Sequence, residues 1–248
     1  MKIACVSDIH LSDPVGDYLA HEWFRELFDL LDSDHLIVAG DVVSTYGRPS
    51  TREDFALFRK TLTRFGWNDG RFTTVVPGNH DTKFMGAAWH DEDPEQFYRR
   101  FPKLFANAKG VGYFPFYKLF PEVAIIGLDS TSPSLLRLER GELGEDQLEA
   151  LDRTLRLRSV SSRKVIISMH HPPNVDHGLV DADAFWEVLE SHRVDLIVSG
   201  HLHESFVDED SYEIPVACCG GFMHDDGDVL MIETGPRGLK TSWWNPWE

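Results

Sequence analysis

Cysteine is scarce in this 248-residue chain, which holds only Cys5, Cys218 and Cys219. An odd number without metal-knuckle spacing excludes a disulfide framework and a thiolate zinc site. Set among apolar neighbours, the three read as core residues, with a redox role for the adjacent Cys218 and Cys219 as the alternative. Long apolar runs are missing as well. The longest candidate, residues 214–223, is broken by Pro215 and by Gly220-Gly221 and falls short of the roughly 20 residues that span a bilayer. No membrane association is expected. The stretch from Met1 to Asp8 leaves no room for a secretory apolar core, so a cytoplasmic location is expected. Repeats, low-complexity tracts and Pro/Ser linkers are also absent, which predicts one domain over residues 1–248. Positive charge is in short supply: 24 Lys and Arg stand against 41 Asp and Glu, a formal net charge of −17. That balance argues against a protein that coats nucleic acid, whose affinity comes from Lys and Arg displacing counterions.

Ordinary apolar content is present, with 42% hydrophobic and 26% charged residues, as in folded soluble proteins. A chain of this length buries about 70–75% of its unfolded surface and needs no disulfide. Short runs rich in β-branched residues at 3–6, 36–38, 73–76, 123–128, 165–168 and 196–198 read as buried strands. Between them, Trp23, Leu27, Leu30 and Leu31, then Phe55, Phe58, Leu62 and Phe65, then Leu148, Leu151 and Leu155, then Phe185, Val188 and Leu189 recur at helical spacing. Strand and helix in alternation predict an α/β fold with parallel strand neighbours. Residues 229–234 and 239–243, separated by glycines and Pro236, predict a terminal hairpin. Residues 83–122 are irregular, with four prolines and seven phenylalanines. They read either as a rim over a site or as a packed excursion covering the core.

Polar residues follow five of the strands: Asp8 and His10, then Asp41, then Asn79, His80 and Asp81, then His170 and His171, then His201 and His203. In open α/β sheets the carboxyl ends of strands are where ligands bind. Each residue alone has a plain reading as a helix cap or satisfied loop residue, which is the reading given to Asp13, His90, His177 and His192. Five successive strand ends carrying such residues point to one site. Carboxylate, amide and imidazole donors suit Mn, Fe, Co, Ni or Zn rather than Ca. So many donors exceed what one ion with an open position uses, whereas two ions sharing a carboxylate can use most of them.

Together the blocks Asp-x-His (8, 10), Gly-Asp (41), Gly-Asn-His-Asp (78–81), His-x-Pro (170–172) and Gly-His-x-His (200–203) resemble the calcineurin-like metallophosphoesterases. The resemblance implies a four-layer α/β/β/α sandwich of two mixed sheets flanked by helices, with a dinuclear metal site at the strand C-terminal ends. It implies that Asp8, His10, Asp41 and His203 hold one metal, and that Asp41 as the bridge, Asn79, His170 and His201 hold the other. His80 becomes a catalytic histidine that binds no metal, oriented by Asp81. His171, second of the doublet, is a substrate-binding candidate. The doublet before Pro172-Pro173, together with Leu11 after His10, is most similar to the cyclic-nucleotide and glycerophosphodiester phosphodiesterase branch. Small phosphodiesters, and monoesters besides, are then the implied substrates, hydrolysed by in-line attack of a metal-activated hydroxide. A nuclease of the same superfamily and a noncatalytic protein-interaction scaffold are the alternatives. Arg153, Arg156, Arg158, Arg163 and Lys164 could touch phosphates, but their place on and just after a helix reads as a solvated face. Two divalent ions facing Asp8 and Asp41 would leave the reaction centre cationic inside an acidic surface, which favours a small substrate over a long polyanion.

Overall fold

Successive side chains along the first strand, β1 (Lys2–Val6), enter two different cores. Ile3 and Cys5 point into one, Ala4 and Val6 into another, as the two-residue period of a strand requires. The computed structural model describes residues 1–11, 17–44, 52–82, 94–110, 114–131, 140–174, 176, 178–222, 227–236 and 238–247. After β1 come α1 (Asp17–Leu30), β2 (His35–Ala39), α2 (Arg52–Arg64), β3 (Thr73–Val76), α3 (Asn79–Thr82), α4 (Pro94–Arg100), β4 (Phe116–Leu119), β5 (Val123–Gly127) and α5 (Glu145–Leu155). They are followed by α6 (Arg158–Ser161), β6 (Lys164–Ser168), α7 (Ala182–Leu189), β7 (Leu196–Ser199), β8 (Phe206–Asp208), β9 (Val216–Cys218), β10 (Val229–Gly235) and β11 (Gly238–Trp244).

The strands form two mixed sheets, β11-β10-β1-β2-β3 and β4-β5-β6-β7-β9-β8. Within them β1, β2 and β3 run parallel, as do β5, β6, β7 and β9. Three cores separate four layers. Phe24, Leu27 and Phe28 of α1 and Phe55, Phe58 and Leu62 of α2 cover the outer face of the first sheet. Ile3, Cys5 and Ile37 meet Ile125, Ile166 and Val198 between the sheets. Leu148, Leu151 and Leu155 of α5 and Phe185 and Leu189 of α7 cover the outer face of the second. This is the expected α/β/β/α sandwich. The predicted hairpin forms as β10 and β11, and β10 adds to β1 in antiparallel register.

Several details depart from the sequence pattern. Leu30 at the end of α1 is 49% exposed and leaves the apolar stripe. Strands β4, β8 and β9 were not among the predicted runs: β4 carries Lys118 in its middle, and β8 and β9 are three residues each. Within residues 83–122, Phe97, Phe101, Leu104, Phe105 and Phe116 are buried in the first core, so the described part is a packed excursion. Residues 83–93 and 111–113 lie outside the described residues. All three cysteines are buried and free, and burial pushes the Cys218 thiol up to about 12, far from the thiolate that redox chemistry needs. Among the described residues no helix is long and apolar enough to cross a membrane.

Candidate metal centre

Parallel strands in both sheets end at one edge, and the loops that leave them are tied to one another by backbone hydrogen bonds. Asp8 N donates to Gly40 O at 3.1 Å, His10 N to Asp41 O at 3.0 Å, and Leu11 N to Val42 O at 3.0 Å. The second sheet joins through His170, whose ring Nδ1 lies 2.8 Å from Ala39 O at the end of β2. Gly40 sits at φ 94° with its α-carbon against the His170 ring, so a side chain there would collide with that ring. Five residues other than glycine among those described have positive φ, and all five are predicted ligands: Asp8 (52°), His10 (49°), Asp41 (50°), His201 (74°) and His203 (56°). Each such conformation costs on the order of 1 kcal/mol. Concentrating the strain at one edge aims these side chains inward, a feature of functional sites rather than of ordinary turns.

The predicted residues converge. His203 Nε2 lies 3.2 Å from Asp8 Oδ1 and 3.2 Å from His10 Nε2. Asp41 Oδ2 is 3.3 Å from His170 Nε2, 3.9 Å from His80 Nε2 and 4.0 Å from His10 Nε2. Asn79 Oδ1 is 3.1 Å from His170 Nε2. His201 joins through its backbone N–H, which donates to Asp8 Oδ2 at 2.9 Å, and through its ring, 5.2 Å from that of His170. Four overlapping trios each place their donor atoms within 4.8 Å of one another: Asp8, His10 and His203; His10, Asp41 and His80; Asp8, Asp41 and His170; and His170, His171 and His201.

Electrostatics at this edge suit cations. Burial would push the Asp8 and Asp41 carboxyls up, but the imidazoles around them outweigh it and hold both well below the usual carboxylate range. Burial pulls His170 down, yet Asp41 and Asp8 raise it to about 10. Asp8 Oδ1 is buried and accepts no hydrogen bond, and the two carboxylates have only histidines as ion-pair partners among the described residues. Two buried carboxylates, an amide oxygen and several imidazoles, without Lys or Arg to balance the charge, are a donor set that transition-metal ions fit.

Asp81 is fully buried beside the Asp41 loop. Its carboxylate accepts three backbone N–H groups, from Val42 at 3.2 Å, Val43 at 3.1 Å and Gly78 at 2.9 Å. It therefore braces the Asp41 loop. Burial first, then the like charge of Asp41, pushes its carboxyl up to about 7 against those donors. His80 is held at its backbone, where N–H donates to Asp41 Oδ1 at 2.8 Å, and burial lowers its ring despite the Asp41 charge.

A strand end escaped the sequence reading. After β5, Ser130 is fully buried, with Oγ 2.8 Å from His171 Nδ1; the rule that exposed the other five strand ends would have found it at Asp129-Ser130. Two members of the basic run have their charge met locally, Arg153 by Glu149 at 3.2 Å and Arg156 by Asp152 at 2.9 Å. His192 is satisfied by Asp152 at 2.9 Å. Asp13, His90 and His177 lie outside the described residues.

Comparison with known proteins agrees with this geometry. A family model described as calcineurin-like phosphoesterase matches residues 1–205. Among curated protein sequences nothing matches. A dimetal phosphatase from Danio rerio shares the fold with a TM-score of 0.74 at 14% identity, over 99% of this chain and 96% of that one. GAP50, the anchor in the inner membrane complex of Plasmodium, gives 0.61 at 14% identity, over 99% and 84%. A 5'-nucleotidase from Candida albicans gives 0.52 at 14% identity, over 98% of this chain and 50% of that one.

Proposed function

The chain belongs to the calcineurin-like phosphoesterase family, and we propose that within it the protein hydrolyses small phosphodiesters. Family membership makes it a metal-dependent phosphoesterase; the diester preference and the residue roles are our reading. The observation that carries it is Asp41, a buried carboxylate shared by two of the donor trios. Asp8, His10, Asp41 and His203 would hold one ion, and Asp41, Asn79, His170 and His201 the other. Two such ions supply a water acidic enough to lose its proton near neutral pH and neutralise charge on the phosphoryl oxygens.

The chain's own residues then position and shield. Asp81 fixes the Asp41 loop through three backbone donors. His80, lowered by burial, stands at neutral pH as an uncharged donor beside Asp41 and hydrogen-bonds the oxygen on which charge develops. Two divalent ions against two carboxylates and a hydroxide would leave about one positive charge, which suits the single charge of a diester better than the double charge of a monoester. A nuclease gains little support from the basic run, in which Arg153 and Arg156 pair with Glu149 and Asp152 and Arg163 and Lys164 bond backbone carbonyls. A scaffold role, as an anchor like GAP50 would suggest, gains none from a donor set with every position filled.

After reconstitution with Mn, activity on bis-p-nitrophenyl phosphate, p-nitrophenyl phosphate, cyclic AMP and a glycerophosphodiester separates the classes. Diesters should be the better substrates by kcat/KM. Turnover of the monoester alone would overturn the preference.

A further inference from the structure

His171 carries a polar atom that the protein leaves unmet. The residue is fully buried, and its Nε2 has no hydrogen-bond partner, although nearly all buried polar groups are paired in folded proteins. Its ring lies beside the proposed ligands, with centroids 4.5 Å from His201 and 5.0 Å from His170. Proximity alone would make it a third imidazole ligand. The hydrogen bonds on the other side of the ring say otherwise.

Ser130 Oγ accepts the backbone N–H of His171 at 3.1 Å and lies 2.8 Å from Nδ1. Ser130 is itself fully buried, and among the described residues Nδ1 is the acceptor its own hydroxyl proton reaches. Were Nδ1 to carry a proton, that hydroxyl hydrogen would be buried unpaired, at a cost of about 1–3 kcal/mol. Ser130 therefore donates, Nδ1 accepts, and the ring proton sits on Nε2. A protonated Nε2 cannot bind a metal; it is a donor seeking an oxygen. Gly141 keeps it there, since a Cβ at that position would fall 2.6 Å from His171 Cγ.

We infer that His171 donates a hydrogen bond through Nε2 to a phosphoryl oxygen of the substrate, in a tautomer fixed by Ser130. This assignment rests on the phosphoester reading above. A neutral donor adds no charge to the cluster, and its bond strengthens as the equatorial oxygens gain charge in the transition state. Ser130 is a positioning residue, acting only through the imidazole.

Nitrogen-15 NMR of the metal-free protein, labelled at histidine, tests the tautomer without any turnover. The wild type should show His171 protonated at Nε2, and Ser130→Ala should lose that preference; an Nδ1-protonated ring in the wild type would overturn the assignment. For the role, His171→Gln places an amide donor near the Nε2 position, whereas the shorter His171→Asn does not reach. With two metals bound per chain in both, His171→Asn should lose about 100-fold in kcat/KM on bis-p-nitrophenyl phosphate, the usual loss for one such donor, and His171→Gln should recover most of it. Metal content below two per chain in both variants would make His171 a ligand and sink the inference. Equal losses in both, with equal falls in Tm, would make it structural and do the same. If the wild-type protein hydrolyses none of the phosphoesters, the function reading has failed, and the NMR result still decides the tautomer.

Discussion

His10 Nε2 and His203 Nε2 stand 3.2 Å apart although 193 residues separate them in sequence. Both face Asp8 Oδ1, at 3.7 and 3.2 Å. Two imidazole nitrogens this close to one buried carboxylate oxygen are arranged for a shared cation, which ties the folded state to metal.

Metal removal should therefore cost stability as well as activity. A ligand that binds only the folded state at about a thousand times its Kd stabilises by about 4 kcal/mol, roughly 10 °C in Tm for a chain of this size. Calorimetry before and after chelation with EDTA, then after Mn is restored, measures it. A Tm indifferent to both steps would remove the metal centre.

His80 and Asp41 should separate cleanly. His80→Ala is expected to keep two metals per chain and lose about 10²- to 10⁴-fold in kcat. Asp41→Ala, which removes the proposed bridge, should drop below two metals and lose more. Elemental analysis beside the kinetics distinguishes them, and loss of metal in His80→Ala would make that histidine a ligand instead.

Asp81→Ala leaves three buried N–H groups without an acceptor. At about 1–3 kcal/mol for each, we expect a loss of several kcal/mol in urea denaturation and weaker metal binding through the loosened Asp41 loop. The pH dependence of the remaining turnover should keep its His80 limb, because the Asp81 carboxylate is engaged by these backbone donors. A displaced limb in a metal-replete sample would restore the orienting role.

Lys118 should contribute a pH-dependent stability far from the metals. Its ammonium is buried, donates to Thr73 O at 2.7 Å, and is lowered to about 7 by burial, which the Asp69 charge only partly offsets. The unfolded lysine titrates near 10.4, so between about pH 7 and 10 the unfolded chain holds the extra proton. Stability on this account rises with pH across that window, by at most about 1.4 kcal/mol per unit, and the full penalty applies below it. Lys118→Met should erase the slope, so the advantage of the variant over wild type shrinks as pH rises from 6.5 to 9.5. A difference that stays constant with pH would refute it.

Strand positions, the layered α/β class and the donor inventory were legible in the sequence because they depend on local periods. Residues 3–6 form the unbroken apolar run of a strand buried on both faces, and Asp8, Asp41, His170 and His201 each follow such a run within three residues. Strand β4, with Lys118 in its middle, and the three-residue β8 and β9 offered no such run to read. The sequence alone thus determined which atoms could form a site and at which edge they would lie. Only the tertiary structure decided their partners. It placed Asp81 on the backbone of the Asp41 loop, paired Ser130 with His171 across 41 residues, and brought His10 to His203. Those pairings depend on how two sheets pack and on left-handed turns held by long-range hydrogen bonds, and neither leaves a mark on the residues that lie next to one another in the chain.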